Sequence, residues 1–112
     1  MVTKRVRLAE IAAARSGDKG ADANIGIWTD RADVYDFLRR ELTSERVRTH
    51  FAALCRGEVH RHELPNLKAL NFILGDALDG GGATSLRTDA QGKTLALGLL
   101  QMEVDVPAEL LS

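Results

Sequence analysis

The sequence predicts an α+β domain, a mostly antiparallel sheet with helices packed on one face. Two kinds of periodicity carry that expectation. Val6 and Leu8 alternate with Arg5 and Arg7, and Met102, Val104 and Val106 alternate with Glu103 and Asp105, as in half-buried strands. Val34-Phe37-Leu38-Leu42 and Leu67-Leu70-Leu74-Leu78 instead repeat at helical spacing. The order of elements lacks the regular strand–helix alternation of a parallel, doubly wound sheet.

The first strand covers Val6 and Leu8. Its phase then shifts to Ile11 and Ala13, and a bulge near Ala9-Glu10 would restore one apolar face. Ile25, Gly26, Ile27 and Trp28 form a second strand, apolar on both faces, joined to the first by a long polar loop over 15–21. Asp30 is placed to cap a helix carrying Val34, Phe37, Leu38 and Leu42. Thr43 or Ser44 caps the next, with Val47, Phe51 and Leu54 as its stripe and Gly57 at its end. Glu58 to Glu63 is so polar that it fits only an edge strand. Leu64-Pro65-Asn66 opens a helix stopped by Gly80-Gly81-Gly82, with Asn71 in the middle of its apolar stripe. A short extended piece over Thr84–Arg87 follows, then a helix from Ala90 to about Leu100 capped by Asp89. A strand over Met102–Val106 ends at Pro107, and the tail from Ala108 is expected to be loosely held.

The 112 residues suit a single domain, taken as 1–112. Aromatic residues are only 4% of the chain, so Leu, Ala, Val and Ile must fill the core. With 15 basic against 16 acidic residues there is no excess of cations to neutralise duplex phosphates, and a nucleic-acid partner is not expected. The single cysteine, Cys55 at a helix end, excludes an intramolecular disulfide and a cysteine-only metal or iron–sulfur site, and reads as a buried structural thiol. No cofactor is called for. No apolar run is long enough to span a membrane, and Met1–Ala14 lacks the apolar region of a signal peptide, so a cytoplasmic protein is the default expectation.

The densest chemistry lies in Arg15-Ser16-Gly17-Asp18-Lys19-Gly20-Ala21-Asp22-Ala23-Asn24. Gly17 and Gly20 permit close backbone approach, and successive N–H groups in such a loop can form an anion nest. Arg15 and Lys19 would add charge and Ser16 a hydroxyl, while Asp18 and Asp22 would orient those cations or take part in acid–base work. Asn24 would fix the loop by Asx-type bonds. A polar network that only holds the loop together accounts for the same residues. The stretch is not a P-loop, because the GxxxxGK[ST] spacing is missing. Gly80 to Arg87, with Ser85 and Arg87, makes a second glycine-rich, donor-rich loop or a plain connector. Asn71 either ties its helix to neighbouring backbone or reaches a site. His60 and His62 share one strand face, a spacing that can hold a metal only with a third ligand, and on so polar a strand they read as solvated.

These blocks resemble the acyclic terpene utilisation (AtuA-like) family, specifically its small ferredoxin-fold domain. The resemblance rests on Arg15-Ser16-Gly17-Asp18-Lys19-Gly20 with Asp22-Ala23-Asn24-Ile25-Gly26, and on Leu64-Pro65-Asn66-Leu67 with Ala69-Leu70-Asn71-Phe72. Gly80-Gly81-Gly82, Ser85-Leu86-Arg87 and Asp89-Ala90-Gln91-Gly92-Lys93 complete it. It implies a ferredoxin-like fold without an iron–sulfur cluster. In that family the small domain commonly follows a much larger one, and the family name refers to bacterial catabolism of acyclic terpenes through acyl-CoA intermediates.

The resulting expectation is an accessory domain or subunit in acyl-CoA or isoprenoid catabolism, acting with a separate large-domain AtuA-type protein or with itself as a homo-oligomer. The alternatives are a stand-alone enzyme or binding protein for a small acyl-CoA, oxo-acid or other anion, with Asp18 or Lys19 in acid–base work, and a purely structural self-associating domain.

Overall fold

The computed structural model describes residues 2–19, 22–53, 57–75 and 91–111. Its strands are β1 (Thr3–Arg7), β2 (Ala13–Lys19), β3 (Asp22–Trp28), β4 (Val59–Leu64), β5 (Ala69–Leu74) and β6 (Glu103–Pro107). Its helices are α1 (Ala32–Glu41), α2 (Ser44–His50) and α3 (Gln91–Leu100). β2, β3, β5 and β4 lie side by side in that order in one antiparallel sheet, and β1 pairs with β6 in a separate two-stranded ribbon.

β3 and β4 are each antiparallel to β5, which lies between them, so they run parallel to one another. Helices α1 and α2 connect them. This split strand–helix–strand unit is the centre of a ferredoxin-like fold, and the α+β expectation holds. In the usual arrangement the strand after the last helix fills the sheet edge beside β3. Here β2 fills that edge from the N-terminal side, and the strand after α3 pairs with β1 instead.

Strict alternation assigns the two faces of the sheet. Ala23, Ile25 and Ile27 of β3 and Leu70, Phe72 and Leu74 of β5 are buried. They join Val34, Phe37, Leu38 and Leu42, Val47 and Phe51, and Leu95 and Leu99 in one core. Val6, Leu8, Val104 and Val106 of the ribbon and its flank belong to the same core. Fully burying a side chain of this size is worth about 1.5–3 kcal/mol, so the alternation is strongly enforced.

Several sequence expectations change. The phase shift after Leu8 is not a bulge in one strand. A 3-10 turn, Leu8–Glu10, passes the chain from the ribbon to the main sheet, with the Ile11 and Ala12 amides donating to the Leu8 carbonyl. The polar stretch 15–21 is not a long loop, because β2 continues to Lys19 and pairs with β3 as far as Lys19–Asp22. No helix begins at Pro65. Pro65–Leu67 is a single 3-10 turn closed by Lys68 at φ 49°, and β5 follows at once. Leu67, Leu70 and Leu74 match helical spacing, but Leu70, Phe72 and Leu74 match a strand equally well, and pairing with both neighbours decides between them. Asn71 is therefore a strand residue.

α1 has no side-chain cap from Asp30. Its N-cap is Arg31, whose amide donates to Thr29 Oγ1 at 3.3 Å. Thr43 caps α2 as expected, accepting from the Arg46 amide, but that helix ends at His50, ahead of Gly57. The tail is held rather than loose. Ala108–Leu111 forms a 3-10 turn, Leu110 and Leu111 pack on the core, and the Arg31 guanidinium donates to the Leu110 carbonyl at 3.0 Å. The same guanidinium also holds the Asp33 carboxyl below the usual carboxylate range, first through its hydrogen bond. A lowered carboxylate pKa contributes stability above the ordinary range, and that contribution is lost as pH falls through the lowered value. The expected extended piece at Thr84–Arg87, Cys55, and the glycine run at 80–82 lie outside the described residues.

One polar side chain on the helix-facing side of the sheet has a structural task. Arg61 of β4 donates to the Arg39 carbonyl at 2.6 Å and the Leu42 carbonyl at 3.0 Å, at the C-terminal end of α1, and is anchored by Glu63 at 2.9 Å. A cation there satisfies orphan carbonyls and complements the helix dipole. Arg61→Met, which keeps the apolar stem, is expected to lower stability by about 1–2 kcal/mol in urea unfolding. Phe72→Ala should lose about 3–5 kcal/mol and Asn71→Ala under about 1 kcal/mol, a contrast that a strand at 69–74 requires.

Candidate functional site

The residues on the sheet face away from the helices form three rows across the strands. The first is Ala13, Trp28, Ala69 and Leu64, the second Arg15, Gly26, Asn71 and His62, and the third Gly17, Asn24, Ile73 and His60. Rows on one face are spaced by two residues, about 6.6–6.8 Å, and neighbouring strands by about 4.8 Å. An apolar row therefore adjoins a row of hydrogen-bond donors, and Lys19 and Asp22 pair beyond the third row.

Arg15, Gly17, Asn24 and Asn71 from the candidate set meet on this face. The Asn24 Nδ2 donates to Asn71 Oδ1 at 3.4 Å, a long bond between half-buried amides. Arg15 is exposed, and among the described residues its side chain has no hydrogen-bond or ion-pair partner. Gly26 stands between Arg15 and Asn71, and a Cβ there would find only ordinary contacts, 3.9 Å from the Arg15 carbonyl oxygen and from Asn71 Oδ1. The second row therefore leaves space over Gly26, bordered by two acceptor oxygens, the Arg15 carbonyl and Asn71 Oδ1. Gly17 is tighter, since a Cβ on it would lie 3.3 Å from Asn24 Oδ1.

Ser16 faces the opposite way. Its Oγ accepts from the Ala96 amide of α3 at 3.1 Å, so it fastens β2 to a helix and is not on the face with Arg15. Asp18 and Lys19 end β2 opposite Ala23 and Asp22, and Asp22 begins β3. Gly20, Ser85 and Arg87 lie outside the described residues. Asn24 makes no Asx-type loop bond, because it sits within β3 and bonds across to β5.

His60 and His62 share one face, as their spacing implies, and both are exposed. His60 lies 3.5 Å from Glu58. Among the described residues no group of three or more His, Cys, Asp or Glu side chains is placed to hold a metal ion. Nor is any helix among them long and apolar enough to cross a membrane. One concave surface formed by described residues borders this face, lined by Glu10, Ala12, Ala13, Trp28 and Asp30; others lie away from it, one lined by Thr43, Arg46, His50 and Met102, another by Asp33, Asp36, Arg40 and Asp105.

Sequence reasoning missed Gly26, Trp28 and His62 as neighbours of Arg15 and Asn71. The signal was available in the alternation of Leu70, Phe72 and Leu74, because placing 69–74 in a strand puts Asn71 on the face of the even-numbered β3 residues.

The topology and the one-sided helix layer define an α+β, ferredoxin-like domain. The family described as the AtuA ferredoxin-like domain matches residues 6–105, and the chain belongs to that family. Comparison with curated proteins and with solved structures gave no match.

Gly17→Ala is expected to displace the Asn24 amide and break its bond to Asn71, with a stability loss under about 1.5 kcal/mol. The Asn24 and Asn71 side-chain amide resonances in an NMR spectrum would report the change directly.

Proposed function

We propose that this domain is an association module, and that the sheet face bearing Arg15, Asn24 and Asn71 docks a larger protein. One observation carries the reading. Three separate segments send polar or small residues, Arg15, Gly17, Asn24, Gly26 and Asn71, to the face that the core does not use. The fold needs none of them there. Glycine in a strand interior weakens the strand, and an unpaired exposed guanidinium adds nothing to it. Among the described residues this face is broad and only its Ala13–Trp28 border is concave, which suits a protein surface better than it suits a reaction centre.

The family resemblance supplies the partner class. A small domain that commonly accompanies a much larger one fits best against a large-domain AtuA-type protein. The process served would then be catabolism of acyl-CoA compounds of the isoprenoid type. A small acyl anion at the same face is the second reading, favoured by Arg15, whose side chain has no partner among the described residues.

The experiment is calorimetric titration of this chain with a separately expressed large-domain AtuA-type protein, followed by the fluorescence of Trp28. This single tryptophan is on the face in question and 40% exposed. Saturable binding with a Trp28 emission shift is the expected outcome. No binding, or binding that leaves Trp28 and a Trp28→Ala variant unaffected, would overturn the reading.

A further inference from the structure

Resting on the association reading, we propose that the concave border of this face at Trp28 receives a lysine or arginine side chain of the partner protein, with its aliphatic stem on the indole and its cation against Glu10 and Asp30. Ala12, Ala13 and Trp28 line this groove, and its charged residues are Glu10 and Asp30. Among the described residues no cation lines it. Asp30 is exposed, does not cap α1, and its carboxylate has no hydrogen-bond or ion-pair partner among the described residues. Glu10 accepts from the Arg7 amide through Oε2 at 3.2 Å, and its Oε1 has no partner among the described residues. A neighbouring concavity continues past Glu10 and Asp30 to Leu110, and the cation lining that part, Arg31, is already bound to Asp33 and to the Leu110 carbonyl.

Apolar surface and charge together select the occupant. Trp28 and Leu64 are each 40% exposed in the first row, with Ala69 buried between them, and Leu67 continues the patch at 68%. An apolar side chain alone would cover Trp28, but it would also strip water from two carboxylates and leave them unpaired, a cost that an opposite charge offsets. Lysine and arginine meet both demands. Their stems lie along apolar surface while the head stays polar, and a cation over an indole face is attracted by the ring. A metal ion fits less well, because among the described residues no third His, Cys, Asp or Glu joins the two carboxylates. The second row carries Arg15 and His62 and no acidic residue, so the sign of the charge changes across the face and directs a docking cation to the Trp28 border.

The test uses the complex with the large-domain AtuA-type protein. Glu10→Gln combined with Asp30→Asn is expected to weaken binding about tenfold or more, with added salt weakening the wild-type complex more than the variant. The melting temperature should not move, since glutamine keeps an acceptor for the Arg7 amide and Asp30 has no partner to lose among the described residues. Trp28→Leu, which keeps apolar cover but removes the ring, should weaken binding about fivefold. Asp30→Lys should abolish it, and a Lys or Arg→Glu change on the partner should restore it. A complex that responds to Trp28→Ala but ignores the Glu10 and Asp30 variants overturns the cation site and leaves the association reading standing. Absence of any complex removes both. If spermidine alone saturably shifts Trp28 emission, Asp30→Asn abolishes that shift and the complex ignores the same variant, the groove serves a free polyamine and the protein source is overturned.

Discussion

Burial of Leu70, Phe72 and Leu74 on one side of β5 forces Ala69, Asn71 and Ile73 onto the other. The side-chain period of a strand is two, so no local adjustment can separate these consequences. β5 is also the one strand bonded to both β3 and β4, and its register places Asn71 opposite Gly26 on one side and His62 on the other. The same pairing aligns the buried Ile25 with Phe72 and Ile27 with Leu70. A shift of one residue would expose the core and scatter the polar row together. The candidate site is thus held in place by hydrophobic burial on the opposite face, with no contribution required from its own weak Asn–Asn bond.

Polar residues in this sheet divide by face into two kinds. Ser16 and Arg61 point toward the helices and satisfy backbone groups there, the Ala96 amide in one case and the last carbonyls of α1 in the other. These are the tasks expected of polar groups partly withdrawn from water, as both of these half-buried residues are. Arg15, Asn71 and His62 face away, and among the described residues their side chains satisfy no backbone group. The contrast separates residues that hold the domain together from residues free to meet something else, and it does so without reference to family. It also revises the initial candidate set, since Ser16 belongs with the scaffold although it adjoins Arg15 in sequence.

Much of the fold was legible in the sequence because burial is one-sided. α1 and α2 showed a helical stripe, β6 showed clean alternation, and Thr43 announced its helix. The failures have physical causes. The segment 64–78 is rich in leucine, and leucines three or four apart satisfy a helical stripe even when those two apart bury a strand face; only pairing partners distant in sequence resolve the ambiguity. β2 was obscured because its outward face is polar and its inward face carries Ala14 and Ser16, so neither parity reads as hydrophobic. The ingredients of the site were legible as residue types, whereas their common face was not, because it depends on the same β5 assignment.

The edge position of β2 explains how so polar and glycine-rich a strand is tolerated. Among the described residues it is bonded to a neighbour on one side only, so Gly17 and the charged residues around it disturb fewer ladder bonds than they would in β3 or β5. α3 supports it from beneath through Ser16, which spares the strand any need for large buried side chains of its own. The outward face is thereby released from packing demands, and its residues can be chosen for the surface they present. Arg15 stands at this released edge, while Asn71 stands on the most constrained strand of the sheet. A contact that engages both is anchored at its centre and adjustable at its rim, and Gly26 keeps the space between them open.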